Sequence, residues 1–177
     1  MIRLKPQNEE VYFTDESPVR LGRAEINFLK EKALASPRLR ARVCSHAGPD
    51  EKVHEMLIVV RKGIYLRPHQ HLGKTESYHV IEGSADLILF DEEGSLGENT
   101  RLGDYASSHT FFYRVPPKQF HTLFIHSDFF VFHETTAGPF RREDTLPAPW
   151  APEETDEMAA SNFMRNLEAH TRSSKVL

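Results

Sequence analysis

One cysteine, Cys44, occurs among the 177 residues. No disulfide can form within the chain, nothing points to an oxidising compartment, and the thiol is expected as a small buried hydrophobe rather than a reactive group. No apolar run approaches the ~20 residues of a membrane-spanning helix. The opening stretch Met1-Ile-Arg-Leu-Lys-Pro6 has no apolar core of the kind a signal peptide carries. A cytoplasmic protein with no membrane segment is the expectation. A basic excess is also missing: 22 Lys and Arg stand against 26 Asp and Glu, a formal net charge of -4. That balance argues against nucleic acid as a partner, because a broad basic surface is what nucleic-acid binding needs. There are no internal repeats or low-complexity tracts.

What is present suits one folded unit. Twelve phenylalanines supply a core, and a chain of this length holds one such core rather than two. Residues 1–20 alternate in short pieces (Ile2-Arg-Leu4, Val11-Tyr-Phe13) between Pro6 and Pro18, which predicts an edge strand or two. From Arg23 to Ala35 the apolar spacing turns helical, with Ile26, Leu29, Ala33 and Leu34 on one side before Ser36-Pro37 ends it. Short strands then follow at 38–46, 54–60, 85–90, 109–115, 121–126 and 129–135. Turns separate them at intervals typical of an antiparallel sandwich or barrel. A polar, proline-rich connector runs to Pro152, and Glu153 to His170 reads as a second helix with Met158, Ala159, Phe163 and Leu167 on its apolar stripe. Residues 172–177 are expected to fray.

The segment Gly63–Gly83 carries the chemistry. His69 and His71 lie two apart, so on a strand both imidazoles project from the same face. Glu76, beyond the Gly73 turn, can return to the same point from the next strand. Two imidazoles and a carboxylate are ligands for a first-row divalent metal. The spacing Gly63, His69, His71, Glu76, Gly83 fills every position of the first motif of the cupin superfamily, which this chain resembles. The second cupin motif is met at Pro116 and His121, with Lys118 and Ile125 departing from its usual pattern. The resemblance implies a cupin double-stranded β-helix, an all-β jelly-roll barrel, with an N-terminal extension containing a helix and a C-terminal helix. The expected division is 1–46 for the extension, 47–140 for the barrel and 141–177 for the connector and helix. It also implies His121 as fourth ligand and a homodimer.

A finer likeness is carried by Arg38, Arg40, Arg42, Cys44 and His46, by Tyr65-Leu-Arg-Pro-His-Gln-His71, by Leu89-Phe-Asp91 with Gly94, and by Phe132-His-Glu-Thr-Thr-Ala-Gly-Pro-Phe140. These stretches resemble the WbuC-type cupin metalloproteins, whose association is with surface-polysaccharide (lipopolysaccharide) gene clusters.

Three histidines and a glutamate leave room on the ion for water or substrate, the mark of a catalytic site. The donor set suits one divalent transition metal ion, iron, manganese, nickel, cobalt or zinc. Strand parity from His69 puts Arg67 and Tyr65 on the ligand face, as an anion holder and a proton donor; the alternatives are an Arg67 neutralised by Glu82 or Glu134 and a Tyr65 that is simply core. From Glu76 the same parity turns Tyr78 inward, and from His121 it turns Leu123 and Ile125 inward. Arg38, Arg40 and Arg42 recur at period two, either as a site for the carboxylate or phosphate of a substrate or as a solvated face. The functions that follow are a metal-dependent isomerase, epimerase or lyase acting on a small anionic metabolite such as a sugar nucleotide, an iron-dependent dioxygenase, or a binding module without turnover.

Overall fold

The computed structural model describes residues 1–173. Near the N-terminus lie β1 (Lys5–Pro6), β2 (Val11–Phe13), α1 (Arg23–Ala35) and β3 (Arg40–Cys44). The body consists of β4 (Val53–Arg61), β5 (His69–His71), β6 (Glu76–Glu82), β7 (Ser84–Phe90), β8 (Leu96–Gly103), β9 (Phe112–Val115), β10 (Phe120–Ile125) and β11 (Phe129–Ala137). Two further elements, β12 (Thr145–Pro147) and α2 (Glu157–Ser173), complete the chain. The strands form two sheets, ordered β1-β2-β3-β4-β11-β6-β9 and β12-β5-β10-β7-β8. From β4 to β7, and again from β9 to β11, successive strands alternate between the sheets. That alternation is the winding of a double-stranded β-helix, and the fold is the all-β jelly roll with two small helices that the motif implied. All ladders among the named strands are antiparallel except β2 with β3.

Three apolar clusters hold the layers together. The space between the sheets is filled by Met56, Ile58, Val60, Tyr78, Val80, Leu87, Leu123, Ile125, Phe130 and Phe132 among others. The run Met56–Val60 is apolar at every position because β4 is covered on both sides: its even residues face this interior, while Leu57 and Val59 face α1. Helix α1 lays Leu29 and Ala33 on β3 and β4, both fully buried. Its start is fixed by Glu25, whose carboxylate accepts the N–H groups of Gly22 at 2.8 Å and Ile2 at 2.9 Å. On the opposite face, Ile88, Phe90 and Phe120 are covered by Trp150 of the connector and by Phe163 and Leu167 of α2. Leu123 and Ile125 point inward as parity required.

Several boundaries differ from the sequence reading. β8 and β12 were not anticipated: β8 is a sheet edge with two glycines and polar residues, and β12 is held by pairing with β5 rather than by its own pattern. α2 begins at Glu157 rather than Glu153, because 153–156 form a turn closed by Asp156 N–H to Glu153 O. The fraying expected over 172–177 falls largely outside the described residues. Among the described residues no helix is long and apolar enough to cross a membrane.

Candidate metal centre

His69, His71 and His121 come from one sheet and Glu76 from the other, so the cluster bridges the two layers at one end of the sandwich. His69 on β5 is the direct register partner of His121 on β10. β5 and β6 are joined through Gly73, whose φ of +70° permits the tight return that brings Glu76 over His71. One ligand atom from each of the four residues lies within 4.8 Å of the other three. The ring centroids stand 4.9 Å apart for His69 and His71 and 4.7 Å for His69 and His121.

Each imidazole is gripped from behind. Nδ1 of His69 lies 3.0 Å from the Arg67 carbonyl and Nδ1 of His121 2.9 Å from the Gln119 carbonyl. A carbonyl only accepts, so both Nδ1 atoms carry the proton and both Nε2 atoms present a lone pair to the centre. His71 Nδ1 lies 3.1 Å from Thr145 Oγ1. Its Nε2 is buried and has no hydrogen-bond partner, although Glu76 Oε1 is only 2.8 Å away. Nitrogen and oxygen are therefore close without pointing at each other, as two ligands of a shared ion are. Tyr78 donates to Glu76 Oε2 at 2.6 Å. This arrangement, in which each donor is oriented by an outer partner, is how protein metal sites are built. The residues fit a divalent transition metal.

The charges agree with that assignment. Burial, with His121 adding to it, holds His69 down at about 4, so the ring is neutral near pH 7. Burial opposes ionisation of Glu76, but with no ion bound the N–H groups and charge that His121 and His71 offer when protonated outweigh it and keep the carboxyl well below its ordinary range, and an ion would take the place of those protons. The side-chain exposure falls from 13% at His71 to 2% at His121, so solvent reaches the centre from the His71 side.

Other residues singled out in the sequence lie elsewhere. Tyr65 donates to the Pro152 carbonyl at 2.9 Å, and Arg67 pairs with Glu153 and donates to the Ala148 carbonyl at 3.1 Å. Both tie down the connector instead of joining the metal cluster. Parity failed because 64–68 is not strand: β5 begins only at His69, and Ile64 and Leu66 take the inward places. Glu82 pairs with Lys30, not Arg67. Arg38 pairs with Glu154 at 2.8 Å, and Arg40 with Glu10 at 3.2 Å. Leu39, at φ 52°, turns the backbone between them, so Arg38 is not in strand register with the stripe. Arg38, Arg40 and Tyr65 meet around a cavity of about 370 Å³ beside Glu154 and the start of α2. Arg42 faces the interior and, among the described residues, has no carboxylate within ion-pair distance. Thr145 and the Gln119 carbonyl were not read from the sequence; Tyr78 was placed inward by its offset from Glu76.

Comparison with known proteins adds the following. The family model described as "Domain of unknown function (DUF6016)" matches residues 21–102, under half of the chain. No curated protein matches. Similar solved structures include a protein from Shewanella oneidensis, at TM-score 0.47 and 19% identity over 58% of this chain and 66% of that one. An uncharacterized conserved protein with a double-stranded beta-helix domain from Klebsiella pneumoniae gives TM-score 0.48 and 16% identity over 62% of this chain and 79% of that one. An oxalate decarboxylase variant from Bacillus subtilis gives TM-score 0.43 and 18% identity over 55% and 24%. The chain thus spans less than two thirds of the first and last of these.

Proposed function

We propose that this chain is a metal-dependent enzyme in which His69, His71, Glu76 and His121 hold one divalent transition metal ion beside a small anionic substrate. The observation that carries the reading is the convergence of four donor atoms, with the outer nitrogen of each histidine already engaged. A bound metal supplies Lewis acidity toward a carbonyl or hydroxyl oxygen. The chain's own residues do the rest. Tyr78 holds Glu76 in one orientation, and the Arg67 and Gln119 carbonyls fix which imidazole nitrogen faces the centre. Leu123, Ile125, Val80 and Phe132 keep water out of the interior behind it. An isomerase, epimerase or lyase is the reaction class that such a site serves. The likeness to WbuC-type cupins supports a sugar or sugar nucleotide of cytoplasmic surface-polysaccharide synthesis as substrate. Exposed Ile81, Phe111 and Phe112 beside the open edge strand β9 support a homodimer, for which sizing chromatography is the check.

Elemental analysis of untagged protein purified without added metal, beside the His69→Ala/His71→Ala double variant, tests the reading. Stoichiometric metal in the parent that disappears from the variant is the expected result. Zinc, manganese, nickel or cobalt fits non-redox chemistry; iron favours the second reading, an oxygenase, which the same histidine and carboxylate donors also suit. Equal absence of metal from both preparations removes the enzyme reading and leaves a binding module.

A further inference from the structure

The inner face of the seven-stranded sheet carries a second polar pole. Across one row, Cys44 lies opposite Met56, Met56 opposite Glu134 and Glu134 opposite Tyr78, and Tyr78 bonds the ligand Glu76. One pleat away, Arg42 lies opposite Ile58. Its neighbours Ala41 and Val43 face α1, whereas Cys44 and Ile58 face the interior, so Arg42 faces the interior too. Its guanidinium sits beside the Cys44 thiol, which it pulls down against the burial that raises it.

Arginines elsewhere on the fold are neutralised. Arg38 and Arg40 meet Glu10 or Glu154, Arg67 meets Glu153, and Arg101 meets Asp86. Arg42 has no carboxylate within ion-pair distance among the described residues, and its Nε is buried without a hydrogen-bond partner. Glu134, two strands away on the same face, makes no ion pair with it. Arg42 is half-buried with its Nε shut off from solvent, and a guanidinium so placed without a counter-ion is suited to a ligand that provides one.

We propose that Arg42 is the anion anchor of this interior: it takes a carboxylate or phosphate group of the substrate in its planar fork, while the other end of the same molecule extends toward His69, His71, Glu76 and His121. The second half of that statement rests on the proposed metal-dependent reading; the first half does not. The strands β3 and β6 are three ladder steps apart, roughly 14 Å between backbones. Long side chains projecting from both reduce that gap to the length of a small metabolite.

Malonate and inorganic phosphate are the probes, titrated calorimetrically into the protein as purified and into the same protein after chelator treatment. The parent is expected to bind at least one of them in both states, malonate preference identifying a carboxylate and phosphate preference a phosphoryl group. Arg42→Met should weaken that binding at least about tenfold. Arg38→Met, which removes an arginine already paired with Glu154, should leave it within about twofold. Arg42→Lys keeps the charge but loses the fork, and covers the case in which the methionine variant does not fold; several-fold weaker binding is expected. Failure of the parent to bind either probe, or parental affinity in both Arg42 variants, overturns the proposal. Because the chelated arm does not involve the metal, a protein that proves metal-free loses the proposed function without deciding this one.

Discussion

The hydroxyl of Tyr78 donates to Oε2 of Glu76 at 2.6 Å and lies 3.2 Å from Nε2 of His121. Burial, with the Glu76 carboxylate adding to it, pushes this phenol well above 10.0, so it acts as a donor and not as a base. Its work is to orient a ligand. Tyr78→Phe keeps the ring and its edge contact with Phe132 but removes the hydrogen bond. Metal affinity should drop about 10–100-fold, as it does when outer partners of metal ligands are lost. Competition against a chromophoric chelator measures this, and unchanged affinity would show that Glu76 needs no such support.

The state of His69 sets an acid limit. Its folded value of about 4 lies below the ~6.5 of an unfolded histidine. The unfolded chain therefore takes up the proton first, and the stability contributed is complete above about pH 6.5 and lost as pH falls toward 4, at most about 3 kcal/mol from this group. Melting curves of chelated protein should slope down through that window, and His69→Gln should flatten the slope. Added metal at a hundredfold over its Kd should raise Tm by roughly 5–10 °C at pH 7. At pH 5 the gain should be much smaller, since protons compete for the same nitrogens.

Glu134 has the opposite sign. Its folded carboxyl titrates above its ordinary value of 4.5, chiefly through burial and then through Glu76. Stability from this group is therefore present below about pH 4.5 and is lost as pH rises. Glu134→Gln substitutes a neutral side chain of the same shape. In chelated protein it should stabilise by roughly 1–3 kcal/mol at pH 8 and by nothing measurable near pH 4. Paired melts at the two pH values suffice; equal shifts at both would mean that Glu134 is not held neutral.

These residues also show what the sequence could reveal. His69, His71 and Glu76 were legible because two-residue periodicity and a glycine turn place them together without long-range information. α1 was read to its observed ends, Arg23 and Ala35, because its apolar spacing is flanked by clear stops. Tyr65 and Arg67 were misplaced because parity was counted backward through Pro68 into a segment that is not strand. Arg42 and Glu134 were named without their relation to each other, which depends on strands β3, β4 and β11 lying side by side. Thr145 reaches His71 through pairing of β12 with β5, a contact between distant segments that no local pattern encodes.

Gly83, the last glycine of the recognised spacing, has a structural task separable from the metal. It joins β6 to β7, where the chain passes from one sheet to the other, and has φ +86°. A Cβ there would lie 2.2 Å from the Phe129 carbonyl oxygen and 2.4 Å from Ser127 Oγ. The serine already bonds Ser84 N–H at 2.9 Å and the Phe129 carbonyl at 2.6 Å, so it is not free to turn away, and the carbonyl belongs to β11. Gly83→Ala therefore combines a left-handed backbone cost of about 1–2 kcal/mol with overpacking of about 1–3 kcal/mol. A fall in Tm of roughly 5–15 °C is expected. Metal per folded molecule should stay at the parental value, because none of the four ligands touches this turn. Loss of metal from protein that remains folded would instead mean that the turn sets the position of Glu76 along β6.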